Sequence, residues 1–105
     1  MKAENTRRKQ LRAIGHHLKP VVIVSKGPTA GVMAEIDRAL TDHELIKIRV
    51  NAEDREEKQK QLGTICKKLG AELVQTAGHV ALIYRAALKP KPELSNMLRH
   101  HELLK

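Results

Sequence analysis

The run Pro20-Val21-Val22-Ile23-Val24-Ser25-Lys26-Gly27-Pro28-Thr29 passes from β-branched residues into a turn. Branching at Cβ favours extended backbone, and Pro20 and Gly27 bound the run. Its apolar residues are continuous, not alternating. That predicts a strand buried on both faces, as in a parallel pair. A parallel pair needs a crossover, and one follows: Val32, Met33, Ile36, Ala39 and Leu40 trace one stripe of a helix over about 29–42. From Glu44 to Val50 the pattern alternates, with Ile46, Ile48 and Val50 on one face and Lys47 and Arg49 on the other, predicting the second strand.

Upstream, Leu11, Ile14 and Leu18 recur at helical spacing, predicting a helix from Asn5 to about Gly15, with Gly15 as its stop. Downstream, Asn51 to Asp54 supply cap chemistry for a third helix that turns Leu62, Ile65, Cys66 and Leu69 inward and ends at Gly70. Glu53, Asp54, Glu56 and Glu57 suit its positive end. Two short strands, Glu72–Thr76 and Val80–Tyr84, are joined through Ala77-Gly78-His79. Lys89-Pro90-Lys91-Pro92 reads as a linker. Leu94, Met97, His101 and Leu104 are spaced for a last short helix over Glu93–Lys105. The order α-β-α-β-α-β-β predicts an α/β fold of two layers, helices on a mixed four-stranded sheet whose strand order the pattern leaves open. Residues 1–86 form the expected domain and 87–105 a basic tail.

The 105 residues suit one domain. No apolar run approaches the ~20 residues of a membrane span, and no apolar stretch follows the basic start as in a secretory signal. The lone Cys66 cannot form an internal disulfide, which fits a reducing, cytoplasmic setting. Net charge is +8, and it is unevenly placed: +6 over residues 1–26, −4 over 27–57 and +6 over 58–105. Two basic ends around an acidic middle suit a surface assembled for a polyanion. Tyr84 is the sole aromatic residue. Modules that stack splayed bases need exposed rings, so any RNA is expected to be read by backbone and shape.

Chemistry concentrates at Ser25-Lys26-Gly27-Pro28-Thr29, where a strand leaves into a glycine-containing turn before a helix. Such a turn presents amide N–H groups and a positive helix end to a phosphate, and Lys26 adds a mobile cation. The plainer reading is an ordinary βα turn. Arg7, Arg8, Lys9 and Arg12 line the first helix, and Lys19 stands beside the loop. Lys47 and Arg49 form a second patch if no helix covers their face; lysine also serves simply to keep strand edges from pairing. Lys67 and Lys68 suit a helix C-terminus, whereas Lys89, Lys91 and Arg99 belong to the tail. The six histidines include the adjacent pairs His16-His17 and His100-His101, which do not share a helix face and lack a zinc spacing. No metal site is expected, and Cys66 reads as a small buried hydrophobe. The carboxylates of residues 53–57 are explained by capping and by pairing such as Glu56 with Lys60, and no catalytic constellation is visible.

Three blocks, Gly15-His16-His17-Leu18-Lys19-Pro20-Val21-Val22-Ile23-Val24, Gly31-Val32-Met33-Ala34-Glu35-Ile36 and His43-Glu44-Leu45-Ile46-Lys47-Ile48, resemble YhbY-like proteins. These are bacterial stand-alone versions of the CRM domain, named for chloroplast RNA splicing and ribosome maturation. The resemblance runs from about Thr6 to Arg85 and includes Asp54-Arg55-Glu56 and Leu82-Ile83-Tyr84-Arg85. It implies an α/β fold similar to the C-terminal domain of bacterial translation initiation factor three. It also implies RNA binding and association with precursors of the large ribosomal subunit. The family carries a GxxG loop like that of KH domains after its first strand. Gly27 matches the closing glycine, Val24 stands at the opening one, and the loop is about one residue shorter. On this match Lys26 and Gly27, with Ser25 and Thr29 beside them, are expected to bind RNA; Lys19, Arg8, Arg12, Lys47 and Arg49 extend the track. The expectation is a monomeric, non-enzymatic RNA-binding protein of ribosome assembly, with no cofactor and no small-molecule substrate. Its alternative is a protein-interaction module on the ribosome whose basic surface meets an acidic partner.

Overall fold

The structure, a computed structural model, describes residues 2–100, with side chains from residue 6. The elements are α1 (Lys2–Gly15), β1 (Pro20–Val24), α2 (Ala30–His43), β2 (Leu45–Val50), α3 (Arg55–Leu69), β3 (Glu72–Ala77), β4 (Val80–Tyr84) and α4 (Asn96–Arg99). Helix starts follow local chemistry. The Thr29 hydroxyl accepts from the Val32 N–H at 3.3 Å, and the Asp54 carboxylate accepts from the Glu57 N–H at 2.8 Å. The four-stranded sheet has the order β1-β2-β4-β3. β1 runs parallel to β2, and both pairings of β4 are antiparallel. The α/β class and the mixed sheet are as expected. The strand order comes from the hairpin, whose tight turn at Gly78 and His79 drops β4 between β2 and β3.

Helices cover the two sheet faces unequally. On one face Ile36 and Leu40 of α2 and Leu62 and Ile65 of α3 share a core with β-strand residues such as Ile48 and Ile83. On the other, Leu11 and Ile14 of α1 pack against Leu45, Val74 and Leu82. The two-layer expectation therefore describes the β1 side, while α1 adds a partial third layer across β2 and β3. Gly15 ends α1 but also permits its close approach: a Cβ there would lie 2.6 Å from Leu82 Cδ2.

A doubly buried β1 is not what the structure shows. Val22 and Val24 are buried, but Val21 is 51% and Ile23 56% exposed. β1 is an edge strand, and α1 leaves its outer face bare. The register is irregular between Pro20 and Val22, as at a bulge.

Glu44 also departs from expectation. It stands before β2 with φ 64°, closing α2 by donating its N–H to the Leu40 carbonyl at 2.8 Å. Its buried carboxylate accepts from the Ser95 hydroxyl at 2.5 Å and the Ala87 N–H at 2.8 Å. The segment read as a linker and tail is thereby docked. The Asn96 side-chain amide donates to the Leu45 carbonyl at 2.7 Å, Lys91 pairs with Asp42, and Met97 joins the α1-side core. Of the helix expected over 93–105, α4 is the described part; His101 and Leu104 lie outside the described residues. Arg85 ties the end of β4 to its neighbours, donating to Asp37 Oδ1 at 2.7 Å, the Leu69 carbonyl at 3.1 Å and the Thr41 hydroxyl at 2.9 Å.

Candidate functional site

Strand register arranges the partly covered sheet face in rows. Pro20, Lys47, Leu82 and Gln75 are successive partners across the sheet, and Ile23, Arg49, Val80 and Ala77 form the next row. The last turn of α1 ends over the first row and brings Arg12 to it, followed by His16. With Lys47 and Gln75 these side chains line a hollow of about 310 Å³. Lys47 also borders a second hollow, of about 260 Å³, between the α1–β1 connection, β2 and the tail. Lys19, Arg99 and the imidazoles of His17, His43 and His100 share that hollow. Among the described residues, no acidic side chain lines either one. Cations gathered without carboxylates keep a positive potential at close range. Arg49 continues the same strand face, with its Nε–H donating to Asn51 Oδ1 at 3.2 Å.

The Ser25–Thr29 turn has a different environment. Gly27 adopts φ 79°, which opens the chain into α2 without a Cβ clash. Thr29 donates its N–H to the Gly27 carbonyl at 2.9 Å, and the Val32 and Met33 N–H groups both donate back to Thr29. Three amides at this turn thus have partners within the chain. Ser25, Lys26 and Gly27 border a hollow of about 440 Å³ whose other wall carries Glu53, Asp54 and Glu57. These carboxylates oppose an anion there.

Arg12, Lys19 and Lys47 are therefore brought together, Arg49 is aligned with them, and Ser25, Lys26, Gly27 and Thr29 form a separate, acid-rimmed group. Arg8 belongs to neither. Its Nη2 lies 3.6 Å from a Glu72 carboxylate oxygen, the other oxygen taking Arg7 at 2.5 Å. Arg7 also lies over the Tyr84 ring, 5.8 Å from its centroid. Burial, with the Glu44 charge adding to it, pushes the Tyr84 hydroxyl pKa up. A ring packed under a guanidinium and into the α1-side core is not a platform for stacking bases.

His17, His43, Arg99 and His100 were not expected to meet at one place. They come from three distant segments, and only the docking of the tail unites them, so no local signal marks the group. His17 and His100 stack with centroids 5.7 Å apart and planes 14° apart. Among the described residues, no three His, Cys, Asp or Glu side chains are placed to hold a metal ion. Burial pushes the Cys66 thiol pKa up, away from the thiolate that a nucleophile requires. Among the described residues no helix is long and apolar enough to cross a membrane.

Comparison with known proteins supplies the context for this geometry. The chain is 47% identical over 93 residues to a probable RNA-binding protein of Pseudomonas aeruginosa, covering 88% of this chain and 89% of the relative. It is 45% identical over 92 residues to an RNA-binding protein of Haemophilus influenzae, covering 86% and 93% respectively. The solution structure of a hypothetical RNA-binding protein from Staphylococcus aureus superimposes with a TM-score of 0.71 at 29% identity, covering 84% of this chain and 92% of that one. Residues 4–85 match the model of the CRS1 / YhbY (CRM) domain. A family match over residues 4–85, together with relatives 45–47% identical along most of their length, places this protein in the CRS1/YhbY (CRM) domain family.

Proposed function

We propose that this chain is a non-enzymatic RNA-binding protein that grips the phosphate backbone and acts on precursors of the large ribosomal subunit in the cytoplasm. One observation carries the reading: Arg12, Lys19 and Lys47 line two adjoining hollows that no carboxylate of the described residues borders, on the sheet face that α1 leaves partly open. Arg49 extends that track along β2. The names of the relatives supply RNA as the polyanion. The packing of Tyr84 and the lack of other aromatic residues support backbone contacts over base stacking. The Ser25–Thr29 turn, in the place of the family's GxxG loop, contributes an end contact, weakened by the facing acidic wall. The ribosomal assignment rests on the family resemblance.

Sedimentation of the tagged chain from a low-salt lysate tests it, with and without ribonuclease. Migration with large-subunit precursors that ribonuclease abolishes is the expected result. Migration that survives ribonuclease would point to a protein-interaction module meeting an acidic partner. A chain that stays at the top of the gradient loses the ribosomal reading. With purified RNA, log affinity should fall linearly with log salt as bound phosphates release counterions.

A further inference from the structure

We infer that the hollow between the α1–β1 connection, β2 and the tail is a phosphate site whose affinity rises as its three imidazoles gain protons. Its lining combines the permanent cations Lys19, Lys47 and Arg99 with His17, His43 and His100. The phosphate would be one of RNA, and in that choice the inference rests on the function proposed above.

The geometry assigns different parts to the histidines. His43 Nδ1 lies 2.9 Å from the Leu94 carbonyl oxygen, which can only accept, so Nδ1 carries the proton. Protonation of His43 must then occur at Nε2, the one ring atom not committed to the tail. His17 and His100 lie face to face at 5.7 Å. Neutral rings stack there without penalty, but two imidazolium rings at that distance repel each other. An anion held beside both offsets the repulsion and adds attraction to each. The same contact joins the tail to the α1–β1 connection, so an occupied site also holds the tail in place.

Two carboxylates stand near these groups. Asp42, at the end of α2, bonds to Lys91; that hydrogen bond, with smaller help from His43 and Arg38, holds its carboxyl below the usual range. Glu44 is turned inward to Ser95 and the Ala87 N–H. Neither carboxylate lines the hollow, and His16 borders the neighbouring one instead. The sign follows directly. A protonated imidazole adds a cation facing the bound anion, and by linkage the anion favours each protonated ring, so binding strengthens as pH falls.

Sulfate, a dianion throughout this range, is the first probe, read from the imidazole NMR signals of the full chain at constant ionic strength. Sulfate at pH 6 should move the signals of His17, His43 and His100 and leave His79, on the β3–β4 turn, unmoved. Affinity should be roughly tenfold higher at pH 6 than at pH 8. The double variant His17→Gln/His100→Gln should cut that ratio to about threefold, and His79→Gln should leave it intact. Arg99→Ala, at an exposed position, should weaken binding at both pH values with an unchanged backbone spectrum. Imidazoles that ignore sulfate at pH 6, or equal affinity at both pH values, overturn the inference. A single-stranded RNA oligonucleotide separates the two claims. RNA that binds without moving these imidazoles overturns the site and leaves RNA binding standing. Sulfate binding with no RNA binding upholds the site and removes the proposed function.

Discussion

The two faces of one sheet have been finished differently. Under α2 and α3 the face is a closed apolar core, with Ile36, Leu40, Ile48, Ile65 and Ile83 fully buried. Under α1 the core is smaller and stops partway, and Lys47 and Arg49 begin on β2 beyond the Leu45 that α1 covers. The same strand supplies both surfaces, because successive side chains point to opposite sides. Parity along β2 thus separates stability from the proposed binding: Ile46, Ile48 and Val50 hold the closed core, while beyond Leu45 the other face carries Lys47 and Arg49.

The comparison can be broken most decisively by two truncations on neighbouring strands. Ile48→Ala should cost about 2–5 kcal/mol, since a fully buried side chain leaves a cavity. Ile23→Ala, at 56% exposure, should cost under about 1 kcal/mol. Urea denaturation measures both. Equal losses would mean that the bare face is covered in solution. Gly15→Ala probes the boundary where α1 stops. Its new methyl meets Leu82 at 2.6 Å, so a loss of about 1–3 kcal/mol is expected from overpacking. Adding Leu82→Val should recover part of that loss, because the two sites touch and their effects are not additive.

Which parts were legible follows from the range of the forces involved. α3 could be read almost to the residue because its ends are local: Asp54 caps one, and Gly70, left-handed at φ 64°, closes the other. The hairpin was legible for the same reason. β1 was not, because Val21-Val22-Ile23-Val24 names four apolar side chains without saying whether a helix reaches the outer one. Glu44 fits the alternation of β2 by spacing, yet its partners Ser95 and Ala87 lie more than forty residues away. That remote contact also turns a proline-marked linker into a docked segment. The basic residues of the candidate site were visible as types. Their grouping was not, since it depends on where α1 ends and on the tail bringing Arg99 and His100 to Lys19.

The smallest expected effect separates the two basic regions themselves. Each phosphate contact removed should flatten the plot of log affinity against log salt by about one unit. Lys47→Ala should produce that change with stability nearly unaltered, since Lys47 borders both hollows that no carboxylate of the described residues lines. Lys26→Ala should flatten the slope less. Lys26 shares its hollow with Glu53, Asp54 and Glu57, so much of its field is already offset before any phosphate arrives. Glu53→Gln/Glu57→Gln sharpens the test by removing that offset without touching the Asp54 cap. In this background Lys26→Ala should approach the full unit. If Lys26→Ala already matches or exceeds Lys47→Ala in the unmodified chain, the turn after β1 is the main grip, and the open sheet face is secondary.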